Sequence, residues 1–324
     1  MTLRVGLAGC GGIARQYHLR ELRADPRVEV IAIAEPSPQA RSLVPALGAE
    51  VLADVGDLIG REDVEAIVVC AATPAHAAIA EAAAEAEQHL YLEKPLAVDL
   101  DAARRIEARL ADREAVAVVG FQFRLSPAFA RLREALRDGR AGAVRHVSGW
   151  HCEAADAARM AEWKRSRASG GGVLLDIVSH QADFVRWLLD EEVEEVEECT
   201  LASVHSEQDE ARLRLRMASG VKIDLVASYL QGRKHRWEVE CEAGVLRAER
   251  WPARLSRHRR PAPAGPSRLT TSLRGLPIPR REPSFGLALR RFVDAALGGE
   301  NGLATVADGR RSLEVVLEAE RRAS

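Results

Sequence analysis

Lysine is rare in this chain, and one of its few lysines occupies a position suited to chemistry. The 324 residues contain 46 Lys plus Arg. Only four of these are lysines: Lys94, Lys164, Lys222 and Lys234. Arginine keeps its proton in proteins, whereas a lysine amine can titrate and place a compact charge beside a reacting oxygen. Lys94 follows a short apolar segment and precedes a proline. We expect Lys94 to serve chemistry, although a lysine surviving by chance on the surface explains the position equally well.

Three polar side chains share one face of an otherwise apolar helical segment. A triple-glycine run at 170–172 leads into a predicted helix, Val173–Leu189, which carries Asp176, His180 and Asp183. Spacings of four and three residues place them on one helix face. Histidine titrates near neutrality, so His180 suits removal of an alcohol proton, with Asp176 orienting the substrate or the imidazole. A solvated face is one alternative. A metal site is another, but further ligands are not clustered nearby in sequence.

A glycine-rich turn near the N-terminus has the form of a dinucleotide-binding loop. Gly9-x-Gly11-x-x-Ala14 lies between a predicted strand and a predicted helix. Gly9 permits the turn, Gly11 lets the backbone approach a pyrophosphate, and the small Ala14 lets the helix pack on the sheet. The start of the helix supplies N–H groups for phosphates. Gly12 and Ile13 complete this predicted contact set.

An acidic residue follows at the distance expected for a ribose contact. Glu35 ends the second predicted strand, 21 residues after Ala14. Its carboxylate can accept hydrogen bonds from ribose hydroxyls and would repel a 2′-phosphate, and Pro36 and Ser37 offer no cation to offset it. The pattern therefore favours NAD over NADP, although Arg41 is near enough in sequence to reach back.

Two further segments follow predicted strands, at the carboxyl edge where doubly wound sheets bind ligands. In the first, Thr73 is the expected cap of a helix and Pro74 its first residue, which accounts for both without a ligand. Cofactor contacts from Thr73, Pro74 or His76 are the alternative. The second segment carries Glu93 and Lys94, which we include among the predicted cofactor contacts.

Up to about residue 122, near-continuous apolar strands alternate with Ala-rich helices. This pattern predicts a parallel sheet covered on both faces, a doubly wound α/β domain of Rossmann type over residues 1–122. The predicted strands are Leu3–Ala8, Val28–Ala34, Glu50–Leu52, Ile67–Ala71, His89–Leu92 and Ala115–Gly120. The predicted helices are Ile13–Ala24, Pro38–Leu47, Ala75–Gln88 and Leu100–Asp112.

After residue 122 the pattern becomes that of an α+β domain, residues 123–324, with a large, mainly antiparallel open sheet. The predicted strands are Val144–Glu153, Glu197–His205, Ala211–Ala218, Val221–Tyr229 and Trp237–Cys241, with a hairpin turn at Ser219-Gly220. The predicted helices are Pro127–Asp138, Val173–Leu189, Ser284–Leu297 and Asp308–Arg321, and the last two can pack back on the first domain. Residues 252–283, rich in Arg and Pro, are expected to form a long loop, with a basic lid for an anionic substrate as the alternative.

Composition argues against several classes of protein. The net charge is −2 with acidic and basic residues interspersed, so we expect no nucleic-acid partner. No apolar stretch is long enough to span a bilayer, and a strand begins almost at the N-terminus, which leaves no room for a signal peptide. The five cysteines are widely scattered. We expect free thiols and a cytoplasmic location.

Three motifs in this order and spacing resemble the glucose–fructose oxidoreductase / inositol 2-dehydrogenase / rhizopine catabolism family (Gfo/Idh/MocA). They are Gly9-x-Gly11-x-x-Ala14, Glu93-Lys94-Pro95 and Gly171-Gly172-x-x-x-Asp176-x-x-x-His180. Thr73-Pro74-x-His76 and the closing segment from Phe285 to Ala323, with Asp308, fit the same pattern. The resemblance covers the chain apart from residues 252–283.

The resemblance implies that Lys94 and His180 are catalytic and that Asp176 contacts substrate hydroxyls. It implies a small polyhydroxylated substrate such as a sugar, a cyclitol or a nucleotide-linked sugar. It also implies a homodimer or homotetramer that pairs through the C-terminal sheet. Some members carry tyrosine where this chain has His180, so the residue here points towards the inositol-dehydrogenase-like branch.

We therefore expect an NAD(H)-dependent oxidoreductase that interconverts a secondary alcohol and a ketone on a polyhydroxylated ring. One alternative is a ketoreductase for nucleotide-linked deoxysugars, in which the arginines of residues 252–283 would meet a diphosphate. The other is a regulatory protein that binds NAD and sugar without turnover. Retention of both Lys94 and His180 argues against this last hypothesis.

Overall fold

The structure is a computed structural model that describes residues 1–44, 48–111, 113–154, 160–258 and 283–323, and the backbone of 270–272. The chain divides into two compact units. The first comprises residues 1–122, 168–170 and 284–313, and the second comprises residues 123–167, 171–283 and 314–324. Within the described residues, no helix has both the length and the apolar character needed to cross a membrane.

The first unit is built on a six-stranded parallel sheet in the order β3-β2-β1-β4-β5-β6. Its strands are β1 (Leu3–Ala8), β2 (Val28–Ala34), β3 (Glu50–Leu52), β4 (Ala66–Val69), β5 (His89–Leu92) and β6 (Ala117–Val119). The helices are α1 (Leu19–Ala24), continuous with a π-helical turn Ala14–His18, α2 (Pro38–Arg41), α3 (His76–Glu85) and α4 (Leu100–Leu110). Strand order reverses between β1 and β4, and ligands of such sheets bind at the carboxyl edge beside this reversal.

The core of the first unit explains why apolar and polar residues do not alternate along its strands. Val5, Leu7, Ile67 and Val68 are fully buried because helices cover both faces of the sheet. The Rossmann-type fold predicted for this part of the chain is confirmed.

The second unit holds an eight-stranded sheet in the order β14-β13-β12-β11-β7-β10-β9-β8. In chain order its elements are α5 (Pro127–Arg137), β7 (Val144–Cys152), α6 (Glu162–Arg165), α7 (Ser179–Leu189), β8 (Val193–Ala202), β9 (Glu210–Met217), β10 (Lys222–Ser228), β11 (Lys234–Cys241), β12 (Gly244–Glu249), β13 (Arg254–His258) and β14 (Thr270–Ser272). A π-helical turn, Leu174–Val178, precedes α7. Among these pairs only β7 and β10 run parallel, so the mainly antiparallel sheet is confirmed.

Aromatic side chains join the helices of the second unit to its sheet. Phe129 of α5 lies 5.1 Å from Phe184 of α7, measured between ring centroids, and Phe184 lies 4.6 Å from Trp237 of β11. Gly220, with φ +86°, closes the β9–β10 hairpin at the predicted turn.

Residues 252–283 are not one continuous loop, which corrects the sequence-based expectation. β13 pairs with β12, and β14 pairs with β13. Pairing satisfies backbone groups that β12 would otherwise leave open at a sheet edge. Six of the arginines on which the basic-lid alternative rests, at positions 259, 260, 268, 274, 280 and 281, lie outside the described residues.

Two helices close the chain, α8 (Ser284–Ala296) and α9 (Val306–Ala323). In the first unit, Phe285 stacks on Tyr17 with ring centroids 4.2 Å apart, and Phe292 lies 5.7 Å from Tyr91. A Cβ on Gly309 would lie 3.1 Å from Leu96, so α9 begins in close contact with the loop after β5.

Candidate active site

The glycine-rich turn has the geometry that a dinucleotide needs. Gly9 has φ +87°, and a Cβ there would lie 2.6 Å from the backbone N of Ala71, so only glycine fits. A Cβ built on Gly11 or Gly12 would meet no atom within 4 Å. The turn is therefore pressed against the neighbouring strand at Gly9 and open at the next two glycines. Ala14 is fully buried and Ile13 is exposed.

Glu35 is buried at the end of β2 and is tied to the glycine-rich turn. Its Oε2 accepts a hydrogen bond of 2.7 Å from the Cys10 N–H, and its Oε1 accepts one of 2.9 Å from the Ser37 N–H. Arg41 reaches back, as considered from the sequence, and its Nη1 donates to the carbonyl oxygen of Glu35 at 2.8 Å. The carboxylate thus fixes the turn and lies where a ribose contact was predicted.

The segment after β4 differs from its predicted form. Ala72, not Thr73, is the cap of the helical turn Thr73–Ala75, and no side chain makes a capping hydrogen bond. The turn begins one residue early because the Ala75 N–H donates to the Ala72 carbonyl at 2.9 Å. Thr73 is buried, and a Cβ on Gly170 would lie 2.6 Å from its Oγ1.

His76 joins the loops that follow β4 and β5. Its Nδ1 lies 3.0 Å from the carbonyl oxygen of Pro95, and its Nε2 lies 3.1 Å from that of Ala71. Burial lowers the pKa of His76, which leaves the ring neutral at pH 7. A neutral imidazole donates from one nitrogen only. The buried ring braces the segment that carries Lys94.

Lys94 lies at the carboxyl end of β5, two strands from β1. It is half-buried, and the peptide bond to Pro95 is cis. Its backbone N–H donates to Oε2 of Glu93 at 3.3 Å, and Oε1 of Glu93 lies 2.6 Å from Nε2 of His18. Burial disfavours a charged His18, but Cys70 and Glu93 outweigh it and raise the pKa of His18 to about 10. Burial also raises the pKa of the Cys70 thiol.

In the second unit, Asp176 lies in the π-helical turn before α7, and one of its oxygens contacts both an amine and a hydroxyl group. Its Oδ2 is 2.8 Å from Nζ of Lys164, and the Tyr229 hydroxyl donates to the same oxygen at 2.7 Å. Nζ of Lys164 also lies 3.4 Å from Oε2 of Glu153. The predicted substrate-orienting carboxylate is therefore part of a network of alternating charges.

His180 lies on α7, one helical turn from Asp176, and is buried in a cluster of aromatic rings. Its ring stacks on Phe123 with centroids 4.1 Å apart, and Phe123 lies 4.4 Å from His235, which stacks on His151 at 4.2 Å. Burial lowers the pKa of both His151 and His235. These two neighbours are thus neutral at pH 7 and add no positive charge beside His180.

Asp183, the third polar residue of the predicted stripe, pairs with an arginine. It is fully buried, and its two oxygens accept hydrogen bonds of 2.9 and 2.5 Å from Nε and Nη2 of Arg124. The bidentate pair compensates the buried charge and fixes α7 to the short helical turn Gln122–Leu125.

Sequence reasoning missed His18, Lys164 and Tyr229. The scarcity of lysine was a usable signal for Lys164, whereas nothing in the spacing distinguished the other two from ordinary core residues. Among the described residues, no group of three or more His, Cys, Asp or Glu side chains is arranged to hold a metal ion.

The residues of the first unit fit a dinucleotide. The open backbone at Gly11 and Gly12 precedes a helix whose first N–H groups suit a pyrophosphate, and Glu35 lies beside it. Lys94 and Thr73 follow strands that end at the same sheet edge.

Two protein-family models match the chain. Residues 3–121 match the oxidoreductase family with an NAD-binding Rossmann fold, and residues 129–247 match the GFO/IDH/MocA C-terminal domain.

Two curated relatives are inositol 2-dehydrogenases. The protein from Burkholderia multivorans (strain ATCC 17616 / 249) is 31% identical over 251 residues, which are 75% of this chain and 71% of that protein. The protein from Rhizobium meliloti (strain 1021) is 32% identical over 193 residues, 59% of this chain and 56% of that protein, so this match spans little more than half of the relative. The solved structure of levoglucosan dehydrogenase in complex with NADH has a TM-score of 0.85 at 21% identity and covers 100% of this chain and 97% of that one. At that identity the likeness shows the fold.

Proposed function

Because this chain belongs to the GFO/IDH/MocA family of oxidoreductases with an NAD-binding Rossmann fold, we propose that it interconverts a secondary alcohol and a ketone on a sugar or cyclitol, with NAD(H) as cofactor. The family resemblance seen in the sequence is confirmed by these matches. The observation that carries the proposal is a lysine, Lys94, at the carboxyl edge of the sheet that also carries the glycine-rich turn. Arginine could not exchange a proton at that position.

In the proposed division of labour, residues 1–122 bind the cofactor and residues 123–324 bind the substrate. A bound nicotinamide dinucleotide supplies the acceptor for the hydride that leaves the alcohol carbon. In this proposal, His180 of the second unit is the base that takes the proton of the alcohol hydroxyl. Lys94 of the first unit is the amine that donates a hydrogen bond to developing negative charge. Asp176 accepts hydrogen bonds from other substrate hydroxyls.

NAD is proposed over NADP because the buried carboxylate of Glu35 would repel a 2′-phosphate. A reducing compartment such as the cytoplasm is proposed because Cys10, Cys70, Cys152, Cys199 and Cys241 are all free thiols. For the assembled state we propose a homodimer or homotetramer formed through the eight-stranded sheet.

The test is NADH formation from NAD with a panel of cyclitols, aldoses, anhydrosugars and nucleotide-linked sugars. With the substrate that gives turnover, we expect Lys94→Ala to lower kcat by about 10²- to 10³-fold, the loss typical of one donor to a developing oxyanion. Lys94→Arg is expected to fail as well. Lys222→Ala, at an exposed lysine on β10, is the matched control and should leave kcat unchanged.

Fluorescence titration of NADH should give nearly the same Kd for Lys94→Ala as for the unaltered protein. Normal turnover of Lys94→Ala would contradict the proposed role. Binding of NADH and a polyol without turnover of any panel member would instead favour the regulatory alternative.

A further inference from the structure

Lys164 is a second scarce lysine, and the proposed reaction does not use it. Its amine lies 2.8 Å from Oδ2 of Asp176 and 3.4 Å from Oε2 of Glu153, and its side chain is only 23% exposed. The amine also lies 4.8 Å from the centroid of the Tyr229 ring, and the Tyr229 hydroxyl donates to the same oxygen of Asp176. A cation and a hydroxyl thus converge on one oxygen of the carboxylate proposed to bind substrate.

The charges in this network favour a fixed, ionised arrangement. Burial would lower the pKa of Lys164, but Asp176 and Glu153 outweigh it and raise the pKa above its usual value. The amine is therefore charged throughout the range in which the protein works. A charged hydrogen bond of this length is about twice as strong as a neutral one, so Lys164 restrains the Asp176 carboxylate in position as well as in charge.

The backbone holds Lys164 in place from the other side. The Gly172 N–H donates to the Lys164 carbonyl at 3.1 Å. A Cβ on Gly171 would collide with the carbonyl oxygen of Trp163 and lie 2.8 Å from the carbonyl carbon of Lys164. The glycines that lead to Asp176 are therefore needed for close packing against the segment that carries Lys164. One short piece of structure fixes both the lysine and the carboxylate that it pairs with.

We propose that Lys164 is a positioning residue for substrate binding: it keeps the Asp176 carboxylate ionised and, with Tyr229, holds it in the orientation that accepts hydrogen bonds from substrate hydroxyls. This inference rests on the proposed function, because it assigns Asp176 to a polyol substrate. Lysine suits the role because its compact amine meets Asp176 and Glu153 at once, whereas a planar guanidinium would demand a different geometry.

Other charged and titratable groups act on the same carboxylate, and a pH test must take them into account. His151 of β7, Glu153 after it and Tyr229 after β10 interact with Asp176 directly. Around them, Asp209 acts on Tyr229, Arg250 acts on His151, and His180 of α7 acts on His235. Among the direct neighbours, Glu153 carries the like charge that would oppose ionisation of Asp176 once Lys164 is removed.

The experiment compares Lys164→Met with the unaltered protein by carbon-13 NMR of the side-chain carboxyls, using Asp176→Asn to assign the resonance. Removal of a cation within hydrogen-bond distance moves a carboxyl midpoint upwards by about 1–3 pH units. We expect Lys164→Met to show that shift. Lys164→Arg keeps the positive charge and should show only a small part of it. Tyr229→Phe removes a single hydroxyl and should give a smaller shift. The amine of Lys222 pairs with Glu197 on β8, so Lys222→Met should leave the Asp176 midpoint unchanged.

Kinetics provide the second readout. With an active polyol, Lys164→Met should raise KM for the polyol by about tenfold or more while KM for NAD stays the same. An unchanged Asp176 midpoint in Lys164→Met would overturn the inference, and so would an unchanged KM for the polyol. If the Asp176 midpoint shifts but the protein turns over no polyol, the electrostatic role of Lys164 is supported and the proposed function is contradicted. If Lys164→Met does not fold, Lys164→Gln serves in both measurements.

Discussion

Glu93, the residue before the proposed catalytic lysine, forms a buried pair with His18. The pair matters for Lys94 because one Glu93 oxygen contacts His18 and the other accepts the backbone N–H of Lys94. Glu93 is also confined by Gly120, where a Cβ would lie 3.1 Å from its Oε1. A carboxylate held in this way fixes the start of the Lys94-Pro95 segment, whose far side is braced by His76.

We predict that His18→Leu destabilises the protein by about 3–5 kcal/mol at neutral pH, the usual cost of leaving one member of a buried ion pair without its partner. The pKa of His18 is raised from 6.5 to about 10, so its contribution is complete below pH 6.5 and is lost as the pH rises towards 10. Urea unfolding of both proteins between pH 6 and pH 10 should therefore show a stability difference that shrinks with rising pH. His18→Gln, which can still donate to Glu93, should lose less. A difference that stays constant with pH would contradict the assigned charge.

The positions of the candidate site residues were predictable where these residues belong to a local motif, whereas contacts with partners distant in sequence were not. Gly9, Glu35 and Lys94 stood out because each follows a strand at one sheet edge. The partner of Asp183 was not predicted, because Arg124 is 59 residues away and no spacing rule links the two. The pairing of Lys164 with Asp176 was missed for a similar reason, since the turn at 170–172 that joins them has no helical or strand period.

Regular elements were predicted well because buried strands and amphipathic helices have clear periods. β1, β2, β3 and β5 have the predicted bounds. β12 was not predicted, although it pairs over its length with β11. Two of its half-buried side chains, Arg247 and Glu249, are charged and are matched across the strands. Arg247 Nε lies 2.9 Å from Glu238, and Glu249 lies 2.6 Å from Arg236 Nη2. Such cross-strand pairs stabilise a strand only when its neighbour is present, so a single segment carries little signal.

The turn before the π-helical segment offers a test of an element. We predict that Gly171→Ala displaces the segment that carries Lys164, because the added methyl would collide with the Trp163 carbonyl. Overpacking of this kind typically costs about 1–3 kcal/mol. Denaturant unfolding should show that loss, and KM for the polyol should rise while the Kd of NADH is unchanged. Gly232→Ala is the control, since a Cβ there would have no neighbour within 4 Å. Equal effects of the two substitutions would contradict the packing argument.

The eight-stranded sheet gives the second unit two unlike faces. Along β9, Leu213 and Leu215 are buried, whereas Arg212, Arg214 and Arg216 point to the other face and are exposed or half-exposed. Charges on that face are paired across strands, as in the contact of 3.0 Å between Arg214 and Asp224. Paired charges lose less on desolvation than isolated ones, so such a face can be covered by another subunit.

Trp150 of β7 provides the most direct test of assembly through this face. Its side chain is half-buried, and the Lys234 amine lies 3.8 Å from the centre of its ring. If a second copy of the chain packs on the sheet, Trp150→Arg replaces apolar contact area with a positive charge next to Lys234, and juxtaposed like charges at an interface cost several kcal/mol.

We therefore predict that sedimentation velocity at micromolar concentration shows a dimer or tetramer for the unaltered protein and an assembly of half that size for Trp150→Arg, a monomer from a dimer or a dimer from a tetramer. The circular dichroism spectrum should be the same for both, because the substituted side chain lies on the face away from the core of the unit. Leu43→Arg places the same charge at an exposed apolar residue of the first unit and should leave the assembly intact. A monomeric unaltered protein would contradict assembly of any kind, whereas an oligomer of unchanged size in Trp150→Arg would place the interface elsewhere. In a dimer each sheet would pack against the same sheet of the other copy, so the substitution is present twice in one interface. Trp150→Arg should therefore convert the whole dimer to monomers.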